Sequence, residues 1–432
     1  MKVMLQRIHA SPLFSKAFEW SRLLTITSLS QILVQAVGFV SGILVIRLLP
    51  PNEYALYILA NTMVGTMAVL ADGGISMGVT AQGGKVWKDP EKLGVVLATG
   101  LDLRKKFGIA SLLVALPVMF ILLRNHQADW LTATVIVLAV VPAFFSTLSA
   151  SLLQIPPKLR QDILPLQKNQ VTSNLIRLLL LSSILLFLPF AFVAILVASV
   201  PQMWANANLK VISSAYADWR QKPDPLMRKE ILKFVNRLLP GSIYFCISGQ
   251  ITIWLISVFG STSAIAQVGA LGRLAMVLNL FNIMVSLLII PRFARLVDNK
   301  KVLFDWYRRI QFYLICFSFV IISLVWLFPH EVLWVLGSNY AGLKDELVLC
   351  FIGSCLNLAV GVNYALNTSR GWLLHPFIGI SLGIVGIVAG ILLVDVSTLR
   401  GVLLFNIFTG VVGLFIHPLF GFLRILRINP VK

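Results

Sequence analysis

Charge is what this sequence has least of. Only 12% of its 432 residues are charged while 58% are hydrophobic, and so little polar surface cannot cover a water-soluble globule of that length. Acidic residues are the scarcer sign, 17 against 36 Lys and Arg. The 5 histidines and 4 cysteines show no metal-ligand spacing, which leaves no metal site to propose. Cys246, Cys316, Cys350 and Cys355 all fall inside apolar runs, away from any oxidising compartment, so free, buried thiols are expected. No external polar stretch is long enough for a catalytic domain. Paired external carboxylates and a phosphate-cradling glycine loop are missing too. These absences leave no catalytic residue and no cofactor to expect, and they argue against a membrane glycosyltransferase, polymerase or ligase. A cleavable signal is not expected, because 1–22 is polar and basic and the first apolar run is too long for a signal core.

What is present is a succession of long apolar runs. The first two form a hairpin from Leu23 to Gly84, joined through Arg47-Leu48-Leu49-Pro50-Pro51-Asn52-Glu53-Tyr54. Each run exceeds the roughly 20 apolar residues that a membrane helix needs. A hydropathy window places spans near 23–49, 54–83, 107–123, 131–155, 171–188, 190–211, 238–260, 265–290, 310–329, 346–368, 372–394 and 399–423. The fold class expected is therefore all-α, a polytopic membrane protein of about 12 transmembrane helices.

The basic residues test that count. Numbering the gaps from the N-terminus, both tails and the odd gaps hold thirty of the 36 Lys and Arg. The opposite side holds Arg47, Arg124, Lys344 and Arg400, and Arg177 and Arg273 lie within spans. By the positive-inside rule both termini are expected in the cytoplasm. The formal charge of +19 is then topology plus attraction to anionic lipid, and nucleic acid is not an expected partner. The longest internal loop, 213–237, divides the chain into an N-terminal tail 1–22, a lobe 23–212, a second lobe 238–423 and a tail 424–432. Glu91 to Lys106 and Asp218 to Val235 mix apolar and basic residues, and read either as amphipathic surface helices or as extensions of membrane helices.

Polar residues at helical spacing pick out inward faces. Ser28, Gln31, Gln35, Gly38 and Gly42 share one face of the first helix; Asn61, Gly65, Ala68, Asp72 and Ser76 share one of the second. Gln170, Asn174 and Arg177 do so on the fifth helix, and Gly353, Asn357, Tyr364 and Asn367 on the tenth. An ionisable residue within a span costs at least about 2.5–3.5 kcal/mol on insertion scales, so Arg177 and Arg273 are expected to face a cavity or a partner. Both suit an anionic headgroup, since the guanidinium fork donates two parallel hydrogen bonds to phosphate. Arg177 could equally pair with Asp72. Asp72 reads either as a site for a coupling proton or sodium ion or as a structural partner for an arginine. Arg47 reads as an interfacial cation or a cavity residue. The glycine stripes of the last two helices, with His375 and His417, read as packing and interfacial positions.

The hairpin sequence from Arg47 to Tyr57, followed by Leu70-Ala71-Asp72-Gly73-Gly74-Ile75, resembles polysaccharide-biosynthesis flippases of the multidrug/oligosaccharidyl-lipid/polysaccharide exporter superfamily. Val268-Gly269-Ala270-Leu271-Gly272-Arg273-Leu274 and Ile290-Pro291-Arg292-Phe293-Ala294 add to it. The resemblance implies two six-helix lobes around a central cleft, flipping an undecaprenyl-pyrophosphate-linked O-antigen or exopolysaccharide unit across a bacterial inner membrane. By that likeness Arg273 is the expected contact for the lipid pyrophosphate or an acidic sugar. Arg177 rests on the reading of its helix alone and would help attract the headgroup; Arg47 is a further candidate, and Gln31, Gln35, Asn61, Asn357 and Tyr364, from their polar faces, would line the glycan path. Expected partners are the lipid-linked oligosaccharide, the bilayer and polysaccharide polymerase or assembly proteins. The alternative within the superfamily is a cation-coupled multidrug exporter.

Overall fold

A computed structural model describes residues 12–372 and 376–427. His375 and the outer parts of both tails lie outside the described residues, which hold helices and no strand. In the first half, α1 (Pro12–Leu48) precedes α2 (Pro51–Asp72) and α3 (Ile75–Val86), which together make the second crossing. Then come α4 (Pro90–Asn125), α5 (Trp130–Leu153), the short α6 (Ile155–Leu159), α7 (Ile163–Leu185) and α8 (Ala191–Ser214). The second half repeats this plan. It opens with α9 (Pro225–Phe259), and its second crossing is α10 (Thr262–Ala275) with α11 (Leu278–Leu288) and the short α12 (Ile290–Ala294). It continues through α13 (Lys300–Leu327), the short α14 (Pro329–Trp334), α15 (Lys344–Ser369), α16 (Pro376–Leu393) and α17 (Leu399–Leu426).

Local chemistry sets the boundaries. Pro51, Pro90 and Pro225 each start a helix, where a missing N–H costs nothing. Asp89, Asp224, Ser261, Asn299 and Thr398 cap helices by accepting from backbone N–H groups of the first turn. Gly73 and Gly74, at φ +47° and +98°, break the second crossing in the left-handed region that favours glycine.

Among the described residues, ten helical stretches are long and apolar enough to cross a membrane. The other two expected crossings are also helical: α7 has a polar first half, and the apolar stretch of α16, Phe377–Leu393, is short. Five helices start well before their expected spans, α1 at Pro12 rather than 23 and α13 at Lys300 rather than 310 among them. α4 begins at Pro90 rather than 107, α7 at Ile163 rather than 171, and α9 at Pro225 rather than 238. The hydropathy window stops where charges enter, whereas a helix continues as long as its backbone bonds are met. The first mixed segment is thus a helix extension, and so is the second from Pro225 onward, while 218–224 is non-helical. Exposed apolar side chains such as Leu113, Phe245, Phe319 and Val385 form the outer surface. Cys316 is exposed as well, contrary to expectation, because it shares that outer face of α13, while Cys246, Cys350 and Cys355 are buried and all four thiols are free.

The lobes are built alike. In each the fourth crossing packs on the third and the sixth: α5 on α4 and α8 in the first, α15 on α13 and α17 in the second. The helix α9 runs along α2 and α3 as the seam between them, with Ile231 against Gly78, Leu238 against Gly74 and the Cys246 thiol 3.6 Å from the Thr66 carbonyl. The glycine stripes of α16 and α17 are contact surfaces, Gly390 meeting Phe405 and Gly413 meeting Val360.

The connection between the lobes is non-helical only over 215–224, and it is fastened to α4. The Asp218 N–H donates to the Pro90 carbonyl at 3.0 Å, and the Asp224 N–H to the Thr99 hydroxyl at 3.0 Å. The Arg220 N–H and the Gln221 amide hold the Asp218 carboxyl below the usual carboxylate range. A side chain at Gly94 would have its Cβ 2.1 Å from the Asp218 carbonyl oxygen. Gly94→Val is therefore expected to destabilise the protein by about 1–3 kcal/mol through overpacking. Gly84→Ala, whose Cβ has its nearest neighbour at 4.0 Å, should leave the thermal unfolding midpoint unchanged.

Each lobe carries an arginine in the same place. Arg160, after the fourth crossing of the first lobe, donates to the Lys88 carbonyl at 3.3 Å and lies 4.9 Å over the Trp87 ring. Arg370, after the fourth crossing of the second, donates to the Phe293 and Leu296 carbonyls at 3.0 and 2.9 Å. It also pairs with Asp298 and stacks over Trp372 at 5.5 Å. Both therefore bind the end of the fourth crossing to the end of the second.

Candidate functional site

Two polar cavities open in the helical bundle, one in each lobe. The larger, about 540 Å³, lies among α1, α5, α7 and α8. Its walls carry carboxamides, Gln31, Gln154, Gln167, Asn169, Gln170, Asn174 and Gln202, with Ser173 and Thr147. Its one charged side chain is Lys158, at the Lys- and Arg-rich end. Gln31 donates to Gln170 at 3.2 Å, which holds α1 to α7. Asn169 is buried, donates to the Ala205 carbonyl at 3.0 Å, and leaves its own carbonyl oxygen without a partner. Buried amide groups left unmatched are costly in apolar surroundings, so a wall of this kind suits a ligand rich in hydroxyls or amides. The smaller cavity, about 350 Å³, lies between α10–α11 and α15, with Asn279, Asn282, Ser354 and Asn357 on its walls. No carboxylate lines either cavity.

At the end opposite the basic one the lobes touch. Arg273 of α10 lays its side chain over Gly42 of α1, where an added Cβ would lie 3.0 Å from Cδ. Its guanidinium sits beside the buried Tyr54 hydroxyl and 3.3 Å from the Met276 sulfur. Arg47 donates to the Val335 carbonyl at 2.9 Å and lies 4.9 Å over the Trp334 ring. His126 reaches the Ser257 carbonyl at 2.7 Å and the Thr262 hydroxyl at 3.2 Å. Two turns along α2 from Tyr54 and one from Tyr57, the Asn61 amide nitrogen is buried without a partner, and Gly65 is exposed with nothing within 4 Å of where a Cβ would stand.

The residues singled out from sequence do not all fall in these three places. Gln31 lines the first cavity and Asn357 the second. Arg177 lies one turn beyond Asn174 on α7, with its Nε buried and without a partner. Arg273 and Arg47 belong to the contact between lobes. Gln35 and Asn61 line neither cavity, and Tyr364 is exposed with its ring edge-on to His417 at 5.5 Å.

The expected alternative of an Arg177–Asp72 pair is corrected. Asp72 is bound by Arg104, which also donates to Ser151 and the Leu148 carbonyl. The Ser76 hydroxyl and N–H donate to Asp72 at 2.7 and 3.2 Å, so one carboxylate joins α2, α3 and α4 across the glycine break. Arg104, counted from sequence as a loop cation, is only 3% exposed because α4 starts so early. Sequence reading also missed Lys158, Gln154, Asn279 and Asn282. The signal was there for the first cavity: Gln167, Asn169, Gln170, Ser173 and Asn174 crowd one end of an apolar run.

The sequence matches no protein-family model and no curated protein. Solved structures are similar. An inward-facing multidrug resistance MATE family transporter of the MOP superfamily is 16% identical and superposes with a TM-score of 0.72, over 91% of this chain and 95% of that one. An outward-facing one, at 16% identity, gives 0.60 over 94% and 95%. A MOP superfamily transporter from Pyrococcus furiosus, described by the reverse polarity of its binding pocket, gives 0.57 at 14% identity over 95% and 96%. With identity this low the likeness is one of architecture, and on it the chain has the two-lobed fold of MATE transporters of the MOP superfamily.

Proposed function

We propose that the chain is an alternating-access transporter of a bacterial inner membrane, with both termini in the cytoplasm, and that its substrate is an undecaprenyl-pyrophosphate-linked oligosaccharide. The observation that carries this reading is the first cavity, ringed by carboxamides, holding one lysine and lined by no carboxylate. Amides match sugar hydroxyls as donor and acceptor alike, and a lone lysine at the mouth favours an anion. With the basic end in the cytoplasm, Lys158 puts the mouth of the cavity on the inner-leaflet side, while Arg47, Arg273 and His126 tie the lobes together on the external side. Rocking of the lobes would break the contacts of Arg47 and Arg273 and turn the cavity outward. The open space at Gly38, beside the Gly42–Arg273 contact, would let the lipid tail stay in the bilayer.

The second reading, a cation-coupled multidrug exporter, is favoured by the names of the structural neighbours. It would require Asp72 to leave Arg104 and take up a proton or sodium ion. Deletion of the gene in its host, followed by extraction of polyprenyl-linked sugars, separates the two. On the first reading, cytoplasm-facing lipid-linked oligosaccharide accumulates, and is cleared by the intact gene but not by Arg273→Ala, with the variant protein still present in the membrane. Unchanged lipid-linked sugar together with raised sensitivity to cationic drugs would establish the second.

A further inference from the structure

The second cavity differs from the first in having no ionisable side chain on its walls. It forms where the eighth crossing breaks. Val277, Asn279 and Leu280 donate to Leu274, Met276 and Val277, so the backbone passes from four-residue to three-residue hydrogen bonding between α10 and α11. That turn sets Gly272 and Met276 on one wall with Asn279 and Asn282, facing Asn357 on α15. Irregular backbone at membrane depth is tolerated where it lines a polar cavity.

The three asparagines are prepared differently. Both N–H groups of Asn357 are engaged, with the Gly353 carbonyl at 3.0 Å and Asn406 at 2.8 Å, which leaves its carbonyl oxygen as a fixed acceptor. The side chains of Asn279 and Asn282 are exposed and make no hydrogen bond to any described residue. A free carboxamide facing hydrocarbon would be unmatched, and one turn of helix puts these two on the same side. At about 350 Å³ the space is at the small end of the roughly 300–1,000 Å³ of ligand pockets.

We propose that this cavity is a subsite for an uncharged sugar ring of the substrate, with Asn279 and Asn282 as paired donors and acceptors and Asn357 as the oriented acceptor. The inference rests on the lipid-linked oligosaccharide reading and divides that substrate in two: its anionic end belongs to the lobe of Lys158, and a neutral ring to the other lobe. An uncharged wall gives no advantage to an ion and full advantage to hydroxyls.

The test uses the full chain in lipid nanodiscs and two probes, geranylgeranyl pyrophosphate and geranylgeranyl-pyrophosphoryl-N-acetylglucosamine, with binding read by tryptophan fluorescence. The sugar-bearing probe is expected to bind about tenfold more tightly, the worth of one or two well-made neutral hydrogen bonds. The double variant Asn279→Ala/Asn282→Ala should abolish that preference and leave the sugarless probe's affinity unchanged. Its thermal midpoint should match the parent's, since neither side chain bonds within the protein. Equal binding of the two probes by the parent, or a preference that survives in the variant, overturns the subsite while the transport reading stands. Binding of neither probe overturns both.

Discussion

Arg104→Met is expected to cost about 3 kcal/mol of stability and to lower the amount of protein that accumulates in the membrane. Removing one partner of a buried ion pair typically costs about 3–5 kcal/mol, and the lower end applies because the Asp72 side chain keeps 28% of its exposure. The loss is asymmetric. Without Asp72, Arg104 still has Ser151, Ser76 and the Leu148 carbonyl; without Arg104, Asp72 keeps only the Ser76 donors and an uncompensated charge. Asp72→Asn should therefore be milder, and the pair Asp72→Asn/Arg104→Met should recover stability relative to Arg104→Met alone. Heat-induced unfolding in detergent, followed by size exclusion, reads all three. A double variant no more stable than Arg104→Met would show that the arginine acts through packing and not through the carboxylate. Asp72→Asn also addresses the coupling role: transport lost at unchanged thermal midpoint would point to an ion site, and transport retained would leave Asp72 a fastening between helices.

Lys158→Glu is expected to abolish export on the proposed reading. Two unit charges about 5 Å apart at an effective dielectric near 20 interact by about 3 kcal/mol, so turning attraction into repulsion should reduce headgroup capture on the order of a hundredfold or more. Lys158→Arg keeps the charge and should keep most of the activity. Lys168→Glu changes the charge on α7 equally but at a position that does not line the cavity, and it should be close to neutral. The measurement is the initial rate at which proteoliposomes translocate a fluorescent lipid-linked oligosaccharide. Equal losses for Lys158→Glu and Lys168→Glu would reassign the effect to surface potential near anionic lipid.

The fold was legible in sequence because a bilayer imposes a length. Runs of apolar residues, alternating with loops of unequal basic charge, gave the crossings and their lobes without any side-chain detail. What sequence hid were the helix ends. A hydropathy window treats Arg104 and Lys158 as the limit of a span, and so it assigned both to loops, yet α4 buries Arg104 and α6 carries Lys158 to the mouth of a cavity. Gln31 and Asn357 were found because they share a helical face with other polar residues and such faces turn from lipid. Sequence makes Arg47 an interfacial cation or a cavity residue, and structure places it against Trp334 of the other lobe. That contact depends on a fold partner nearly 300 residues away, and no local pattern announces it. Asn279 and Asn282 sit just beyond a break that reads from sequence as ordinary apolar helix.

Arg160 and Arg370 give one more reading of the molecule. Their surroundings have little in common as letters: one follows a pair of prolines, the other a run of Asn, Thr and Ser. Yet each stacks its guanidinium on an aromatic ring and reaches the main chain at the close of a crossing two helices earlier. The letters around these two arginines do not match, whereas the joints they make do. Each half carries its own buckle, so parting the halves does not loosen either one. The kinship between them survives as a way of being fastened after the wording has diverged.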